Sequence, residues 1–367
     1  MNTEVIKIFS LILSILAALP QLPGALKDYV RSVSSQTAVQ AERLEAMRNG
    51  EIAVVDEQRF ANFDLSDTSV KLNEIRTLHT HNSYKRALPE SLYELSAKVF
   101  GHDKFKGAMY EHDTPVKQLE NGVRGLELDI RWQPNGFKIF HQPAPDNISN
   151  SPDWKMTLEE LRLWSDANPN HVPVTVLVEI KKDNPYWNPL YREMDANKFR
   201  QLDETVKIVM GSKAVTAAEL MGSYPTLGAM AANNAWPALA ALKGKFIFLL
   251  HPDSVFTELY INRDKTLKTQ MFVPMIANGD VARYYDYAAF VLSNEPYDTR
   301  IKDLVNNNYI VRTMMDSGQW YNPARKAAAL ESGAQMLTTD LEQGVVLPKT
   351  DYIATLENEY TIILRNN

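Results

Sequence analysis

Short apolar runs alternate with amphipathic segments along most of this chain, from Glu74 towards the C-terminus. Several of the runs are almost continuously hydrophobic, which is typical of parallel strands that are buried on both faces. The pattern predicts eight strands: Ile75–Thr80, Val123–Arg131, Phe137–His141, Val174–Lys181, Lys245–Leu250, Ala288–Ser293, Tyr309–Met314 and Gln335–Thr339. The segments between them predict helices: Glu90–Phe100, Thr114–Glu120, Thr157–Asp166, Ala196–Met210, Pro296–Asn306 and Pro323–Ser332.

This alternation of strands and helices favours an α/β fold, a closed (β/α)₈ barrel of the TIM type. The turn Pro134–Gly136, between the second and third strands, has no room for a helix, so we expect the barrel to be irregular on that side. A doubly wound open sheet is the structural alternative. Within the predicted helices, Thr157 followed by Glu160 resembles a capping box at a helix start.

The first residues have a different pattern. Lys7 precedes an apolar run from Ile8 to Leu19, which is shorter than the roughly 20 residues that cross a bilayer but suits a signal peptide. We therefore predict a signal peptide over residues 1–24 and a secreted or periplasmic protein. The alternative is an uncleaved segment that anchors the protein to a membrane.

The remainder divides into two parts. Residues 25–70 predict an N-terminal helical or linker segment, with a helix from Thr37 to Arg48. Residues 71–367 then form a single catalytic barrel domain in this interpretation.

The composition excludes some functions. Hydrophobic residues make up 45 % of the 367 residues and charged residues 23 %, which is ordinary for a globular protein. A net charge of −6 argues against a nucleic-acid partner, which usually selects a basic surface. The absence of cysteine excludes disulfides, cysteine nucleophiles and thiolate metal sites, so any metal must be bound by oxygen or imidazole.

Polar side chains interrupt the apolar strands near their C-terminal ends, where the active sites of barrel enzymes lie. His79 and His81 share one face of the first strand, because side chains alternate along a strand. Glu127 and Asp129 share a face of the second strand, about 7 Å apart along it. Two buried carboxylates repel each other, and a bound cation would make their proximity favourable.

Two further strands place polar groups at the same end. The third predicted strand ends at His141, and the fourth has Glu179 and Lys181 on one face. Carboxylate and amide oxygens suit calcium or magnesium, whereas the HExxH motif of many zinc enzymes is absent. Histidines near such a site are then free for proton transfer.

These residues together resemble a known family. The order His81-Asn82-Ser83-Tyr84, Glu127-Leu128-Asp129, His141 and Glu179 resembles the catalytic half of phosphoinositide phospholipases C, and of the bacterial calcium-dependent phosphatidylinositol-specific family in particular. Further matches are the Gly-Val-Arg-Gly-Leu-Glu-Leu-Asp strand at Gly122–Asp129, and a late Ser-Gly-Ala-Gln…Thr-Asp segment at Ser332–Gln335 and Thr339-Asp340. The resemblance covers residues 74 to 342.

The resemblance implies a reaction and a set of site residues. Asn82, Glu127, Asp129 and Glu179 would bind one Ca²⁺, and His81 and His141 would be catalytic. An inositol hydroxyl of a phospholipid at a membrane surface would attack the neighbouring phosphodiester. The products would be diacylglycerol and a cyclic inositol phosphate, which water can open. We assign stabilisation of the transition state to His81 and protonation of the departing oxygen to His141, with Glu127 or another metal-bound carboxylate as the general base.

Other residues leave alternatives open. Lys181 and Arg312 are candidates for substrate binding, although a lysine beside a glutamate at a strand end often forms only a salt bridge. His79 would either support the metal site or pack in the barrel, and Asp340 would either belong to the site or cap the turn after the last strand. Three other histidines are predicted to lie on the surface: His102, His112 and His171.

Two other functions compete with this interpretation. A glycerophosphodiester phosphodiesterase would have the same barrel, a similar Glu-x-Asp metal site and two histidines. That family usually begins with His-Arg-Gly, where this chain has His81-Asn82-Ser83. A non-catalytic, calcium-stabilised barrel would have lost a histidine or a ligand, whereas all of them are present here.

Overall fold

The computed structural model describes residues 19–101, 107, 109–186, 188–316 and 320–365. Most of the predicted signal segment and His102 lie outside the described residues. The helices in the described ranges are all too short or too polar to cross a membrane.

The described residues contain eleven strands: β1 (Ile75–Thr80), β2 (Gly125–Gln133), β3 (Gly136–Ile139), β4 (Val174–Ile180), β5 (Ala214–Val215), β6 (Phe246–Leu250), β7 (Val273–Ala277), β8 (Phe290–Leu292), β9 (Ile310–Met314), β10 (Met336–Thr339) and β11 (Ile362–Leu364). The same ranges contain ten α-helices: α1 (Leu22–Arg48), α2 (Glu90–Phe100), α3 (Pro115–Glu120), α4 (Trp154–Ala167), α5 (Ala196–Met210), α6 (Ala217–Met221), α7 (Leu227–Ala232), α8 (Ser254–Ile261), α9 (Arg300–Asn306) and α10 (Pro323–Glu331).

Eight parallel strands close into a barrel in the order β1, β2, β4, β6, β7, β8, β9 and β10. The last strand pairs with the first, with Thr80 opposite Thr339, and β1 meets β2 where His79 lies opposite Gly125. The predicted closed (β/α)₈ barrel with an N-terminal helical extension is therefore confirmed, and the open sheet is excluded.

The number of barrel strands was predicted correctly, but their identities were not: one predicted strand lies outside the barrel, and one barrel strand was not predicted. The third predicted strand, β3, is antiparallel to β2 in a hairpin outside the barrel, which is the expected irregularity. The missing barrel strand is β7, which contains Pro274. Proline has no N–H to donate and argues against a central strand, so the sequence pattern did not indicate this one.

Helix α4 starts earlier than predicted. Its N-cap is Asp153, whose side chain accepts the N–H of Met156 at 3.1 Å, so the capping box predicted at Thr157 is wrong. Thr157 lies inside the helix, and its hydroxyl donates to the carbonyl of Asp153 at 2.8 Å. An aspartate cap satisfies an N–H at the helix start in the same way.

The N-terminal helix α1 is longer than predicted and packs against α2 and α4. Gln40 is fully buried and accepts the N–H of Asp153 at 2.8 Å. Arg43 donates to the buried carboxylate of Glu160 at 2.9 Å. After α1, Glu57 forms a salt bridge with the fully buried Arg124, which directly precedes β2. The N-terminal segment is therefore held against the N-terminal end of the barrel strands.

Candidate functional site

Three carboxylates meet inside the barrel, near the C-terminal ends of β2 and β4. Asp129 and Glu179 are opposite each other in these parallel strands, so their side chains lie on the same face. Glu127 precedes Asp129 by two residues and shares that face. One oxygen from each of the three carboxylates lies within 4.8 Å of the other two. The structure therefore brings together the three acids that the sequence indicated.

Two cationic side chains contact the same carboxylates. The ammonium nitrogen of Lys181 lies 2.7 Å from Glu179 Oε1 and 3.1 Å from Asp129 Oδ2. From the opposite wall, the buried Arg312 donates to Glu127 Oε2 at 2.5 Å and to Thr338 Oγ1 at 3.0 Å. Lys181 and Arg312, the two residues predicted to bind substrate, thus lie at the carboxylate cluster.

Asp129 carries the strongest indication that a cation belongs here. It is fully buried, and neither of its carboxylate oxygens accepts a hydrogen bond with regular geometry from the described residues. Burial raises the pKa of Asp129, Lys181 opposes this, and Glu179 and Glu127 add to it, with a result of about 6. A buried carboxylate whose charge is balanced only in part, here by Lys181, costs free energy, and an oxygen-bound divalent cation would offset that cost. The residues present therefore fit a calcium ion.

Asn82, the fourth predicted ligand, is the second residue after β1 and has a left-handed backbone conformation, with φ at 47°, that asparagine tolerates. Its Oδ1 accepts the hydroxyl of Tyr84 at 3.1 Å, and its Nδ2 donates to Tyr110 at 2.6 Å. Burial and then the charge of Asp129 raise the pKa of Tyr84 well above its usual value. The Tyr84 hydroxyl thus links Asn82 to the carboxylate cluster.

His81 is held by a carboxylate from the other end of the sequence. Its Nδ1 lies 3.0 Å from Oδ1 of Asp340, which is buried at the end of β10. Burial opposes a charge on His81, but Asp340 and Glu127 outweigh it and raise the pKa to about 9. The side chain of Asp340 thus belongs to the site, whereas sequence reasoning left a turn cap as an equal alternative.

His141 has a corresponding partner that sequence reasoning missed. Its Nδ1 donates to Asp146 Oδ2 at 2.5 Å, and the ammonium group of the fully buried Lys85 lies 2.6 Å from Asp146 Oδ1. A cavity of about 470 Å³ beside His141 is also lined by Arg131 and Lys181. Through Lys181, this cavity joins the second predicted catalytic histidine to the carboxylate cluster.

Two of the other histidines differ from expectation, and a third matches one of the two alternatives left open for it. His112 and His171 are buried, so the prediction that they lie on the surface was wrong. His171 bonds to Ser165 at 2.8 Å and precedes the N-terminal end of β4, whereas Glu179 lies near the C-terminal end of that strand. His79 packs inside the barrel against Gly125, where an added Cβ would lie 1.7 Å from the imidazole. Burial and then Arg312 lower the pKa of His79 to about 3, so it is a neutral packing residue.

Comparison with known proteins identifies a family whose model matches this chain. The model of the family "Phosphoinositide phospholipase C, Ca2+-dependent" matches residues 70–136 and 131–366. No curated protein sequence matches significantly.

Solved structures support the fold. The calcium-dependent phosphoinositol-specific phospholipase C of Pseudomonas sp. superposes with a TM-score of 0.56 at 17 % identity, covering 84 % of this chain and 99 % of that one; the same values hold for its myo-inositol complex. The Ca²⁺-dependent phosphatidylinositol-specific enzyme of Streptomyces antibioticus has a TM-score of 0.51 at 16 % identity, covering 74 % and 95 %. With the family match spanning nearly the whole barrel, this chain belongs to the family of Ca²⁺-dependent phosphoinositide phospholipases C, which are phosphodiesterases.

Proposed function

We propose that this protein cleaves phosphatidylinositol-type phospholipids to diacylglycerol and a cyclic inositol phosphate, with calcium as its cofactor. The observation that carries the proposal is the pair of histidines, each held through Nδ1 by its own carboxylate, around one cluster of three acids. Family membership and the myo-inositol complex of the Pseudomonas enzyme support an inositol headgroup.

Asn82, Glu127, Asp129 and Glu179 are the residues that would hold the calcium ion. Bound calcium supplies positive charge that makes a nearby hydroxyl more acidic and offsets the charge of a phosphoryl group. Burial would raise the pKa of Glu127, but Arg312 and His81 hold it below the usual value, so Glu127 is ionised at neutral pH. Glu127 or Asp129 then accepts the proton of the attacking inositol hydroxyl.

The two histidines have different roles in the proposed reaction. His81 is positively charged at neutral pH, because its pKa is about 9, and it stabilises negative charge that develops on the phosphoryl oxygens. Asp146 accepts the Nδ1–H of His141, so the proton that His141 transfers to the departing diacylglycerol oxygen is on Nε2.

The substrate of such an enzyme lies in a membrane, and the mouth of the barrel suits a membrane surface. Four large side chains on loops that follow β8, β9 and β10 are 46–55 % exposed: Tyr297, Trp320, Tyr321 and Ile353. These loops lie at the C-terminal ends of the strands, the same end as the site. Exposed apolar and aromatic side chains grouped in this way are typical of contact with a lipid surface.

The proposal also includes secretion of the enzyme through a cleaved N-terminal signal peptide. The apolar run from Ile8 to Leu19 supports a cleaved signal peptide and a secreted or periplasmic enzyme. N-terminal sequencing of protein recovered from the culture medium or periplasm tests this. An intact Met1 on membrane-bound protein would contradict cleavage and indicate an anchor.

The decisive experiment is hydrolysis of phosphatidylinositol in mixed micelles, with added Ca²⁺ and with chelator. Phosphatidylcholine and glycerophosphoinositol serve as the competing substrates. We expect calcium-dependent release of diacylglycerol from the inositol lipid alone. Release of glycerol phosphate from glycerophosphoinositol instead would indicate a glycerophosphodiester phosphodiesterase. Calcium that raises the melting temperature, without turnover of any substrate, would indicate a non-catalytic barrel.

A further inference from the structure

The buried side chain of His112 lies behind His81 and has no part in the reaction proposed above. His112 is 1 % exposed, and its Nδ1 lies 2.9 and 3.0 Å from the two carboxylate oxygens of Glu342, which is 0 % exposed. Its Nε2 is also buried and has no hydrogen-bond partner among the described residues. That nitrogen lies 4.0 Å from Asp340 Oδ1, the same oxygen that contacts His81.

Four side chains therefore form a continuous line from Glu342 through His112 and Asp340 to His81. Tyr110 covers one side of this line: its ring is parallel to that of His81 with centroids 6.4 Å apart, and edge-on to that of His112 at 5.6 Å. His112 is also tied to the loop after β1, because its backbone N–H donates to the carbonyl of Lys85. Glu342, His112 and Asp340 are buried in protein, where charges interact more strongly than in water, and His81 forms the partly exposed end of the line.

The protonation state of His112 follows from its two carboxylate neighbours. In the neutral form, with the proton on Nδ1 facing Glu342, the lone pair of Nε2 would face the carboxylate of Asp340, acceptor against acceptor. The cationic form instead presents an N–H to each carboxylate. Burial lowers the pKa of His112, but Glu342 and Asp340 outweigh burial and the opposing charge of His81, so the pKa is raised.

We propose that His112, held as a cation by Glu342, is a positioning residue that keeps Asp340 ionised and aimed at Nδ1 of His81. This inference rests on the proposed function, because the orientation it sets is that of a catalytic histidine. His112 does not touch the substrate site itself. Its contribution is a fixed positive charge behind the carboxylate on which His81 depends.

The charge state can be measured without any substrate. We expect ¹⁵N NMR of histidine-labelled protein at pH 8 to show both ring nitrogens of His112 protonated, with the resonances assigned by their loss in His112→Gln. In Glu342→Gln the same ring should become neutral at that pH. A neutral His112 ring in the wild-type protein at pH 8 would overturn the proposal. This measurement decides the inference even if phosphatidylinositol proves to be the wrong substrate.

The positioning role is tested by kinetics. We expect His112→Gln to lower kcat by roughly tenfold or more and to leave KM within about twofold of the wild-type value. Losses of this size are typical when a residue that orients a catalytic group or a metal ligand is removed. The matched control is His171→Gln, which removes another buried histidine that bonds to Ser165. We expect it to lower the melting temperature similarly and leave kcat unchanged.

Equal kcat losses in His112→Gln and His171→Gln would show that His112 is only structural. Should His112→Gln fail to fold, Glu342→Gln provides the second test, because it keeps an acceptor for Nδ1–H while removing the charge that holds His112 as a cation. A wild-type kcat in a folded Glu342→Gln protein would then contradict the proposal. An inactive wild-type enzyme would instead count against the proposed substrate, and the NMR result would still stand.

Discussion

Asp340 Oδ1 lies 3.0 Å from Nδ1 of His81, although 259 residues separate the two along the chain. Each residue follows directly after a strand, His81 after β1 and Asp340 after β10, and these strands pair where the barrel closes. The contact between the histidine and its carboxylate therefore depends on closure of the barrel.

Asp340→Asn should leave the fold intact and remove most of the activity. The asparagine amide would donate towards Nδ1 of His81, so the imidazole would lose both its charge and its orientation. We expect kcat on phosphatidylinositol to fall by roughly 10²- to 10⁴-fold, as for other histidine–aspartate pairs. Circular dichroism melting checks the fold, and a kcat within tenfold of wild type would contradict the role given to Asp340.

Asp129→Asn should abolish calcium binding. Its carboxylate is buried without regular hydrogen-bond donors, so the neutral amide removes a ligand charge and also relieves repulsion from Glu127 and Glu179. We expect the calcium Kd to rise by about 100-fold or more, and the calcium-free protein to melt at or above the wild-type temperature. Calorimetric titration measures the Kd. Asp253→Asn, on the surface beside Lys182, is the matched control and should bind calcium normally.

Lys181→Met should tighten calcium binding while impairing turnover. The ammonium group lies between Asp129 and Glu179 and competes with a bound cation for their charge. Its removal should lower the calcium Kd by about tenfold, or ~1.4 kcal/mol. We expect kcat to fall in the same variant, because Lys181 lines the cavity beside His141 and is a candidate contact for the phosphate. Lys182→Met, which removes an exposed pair with Asp253, should change neither quantity, and weaker calcium binding in Lys181→Met would refute the competition.

Asp316→Asn should flatten the dependence of stability on pH. Burial, and then the charge of Asp340, raise the pKa of Asp316 to about 7. Because the folded state binds this proton more tightly than the unfolded chain, the stabilisation is complete below about pH 4 and is lost as the pH rises to about 7. The loss is at most of the order of 4 kcal/mol. Urea unfolding at pH 5 and pH 8 should show a smaller difference in the variant, and an unchanged difference would rule out this group as the cause.

Trp320→Ala combined with Tyr321→Ala should weaken membrane binding without affecting chemistry. These two side chains are 55 % and 48 % exposed on the loop after β9. We expect binding to vesicles of phosphatidylcholine and phosphatidylinositol to fall by about tenfold, from the apolar area removed. Hydrolysis of a soluble inositol phosphodiester should not change. Val54→Ala, 78 % exposed near the base of the barrel, is the control and should bind vesicles like the wild type.

The sequence alone determined the family, the barrel and the residues that come directly at strand ends. Glu127, Asp129 and Glu179 could be identified because carboxylates in otherwise apolar strands are costly to bury unless they serve a site. The roles of His81 and Asn82, which follow the first strand, came from the resemblance of His81-Asn82-Ser83-Tyr84 to a known family. Parallel strands all present their C-terminal ends at one edge, so such residues converge even when far apart in sequence. Local pattern, general topology and the resemblance of the ordered motifs suffice for this part.

Only the tertiary structure decided which groups hold those residues. Asp146 and Lys85 behind His141, and Asp340, His112 and Glu342 behind His81, lie in turns and loops with no periodicity to mark them. Strand β7 was likewise not predicted, because Pro274 has a low preference for strands. The strand forms nevertheless, since pairing and burial between neighbouring strands outweigh that preference. These partners meet because the barrel closes and packs. A hydrogen bond between residues hundreds of positions apart depends on that three-dimensional packing, which no local sequence pattern records.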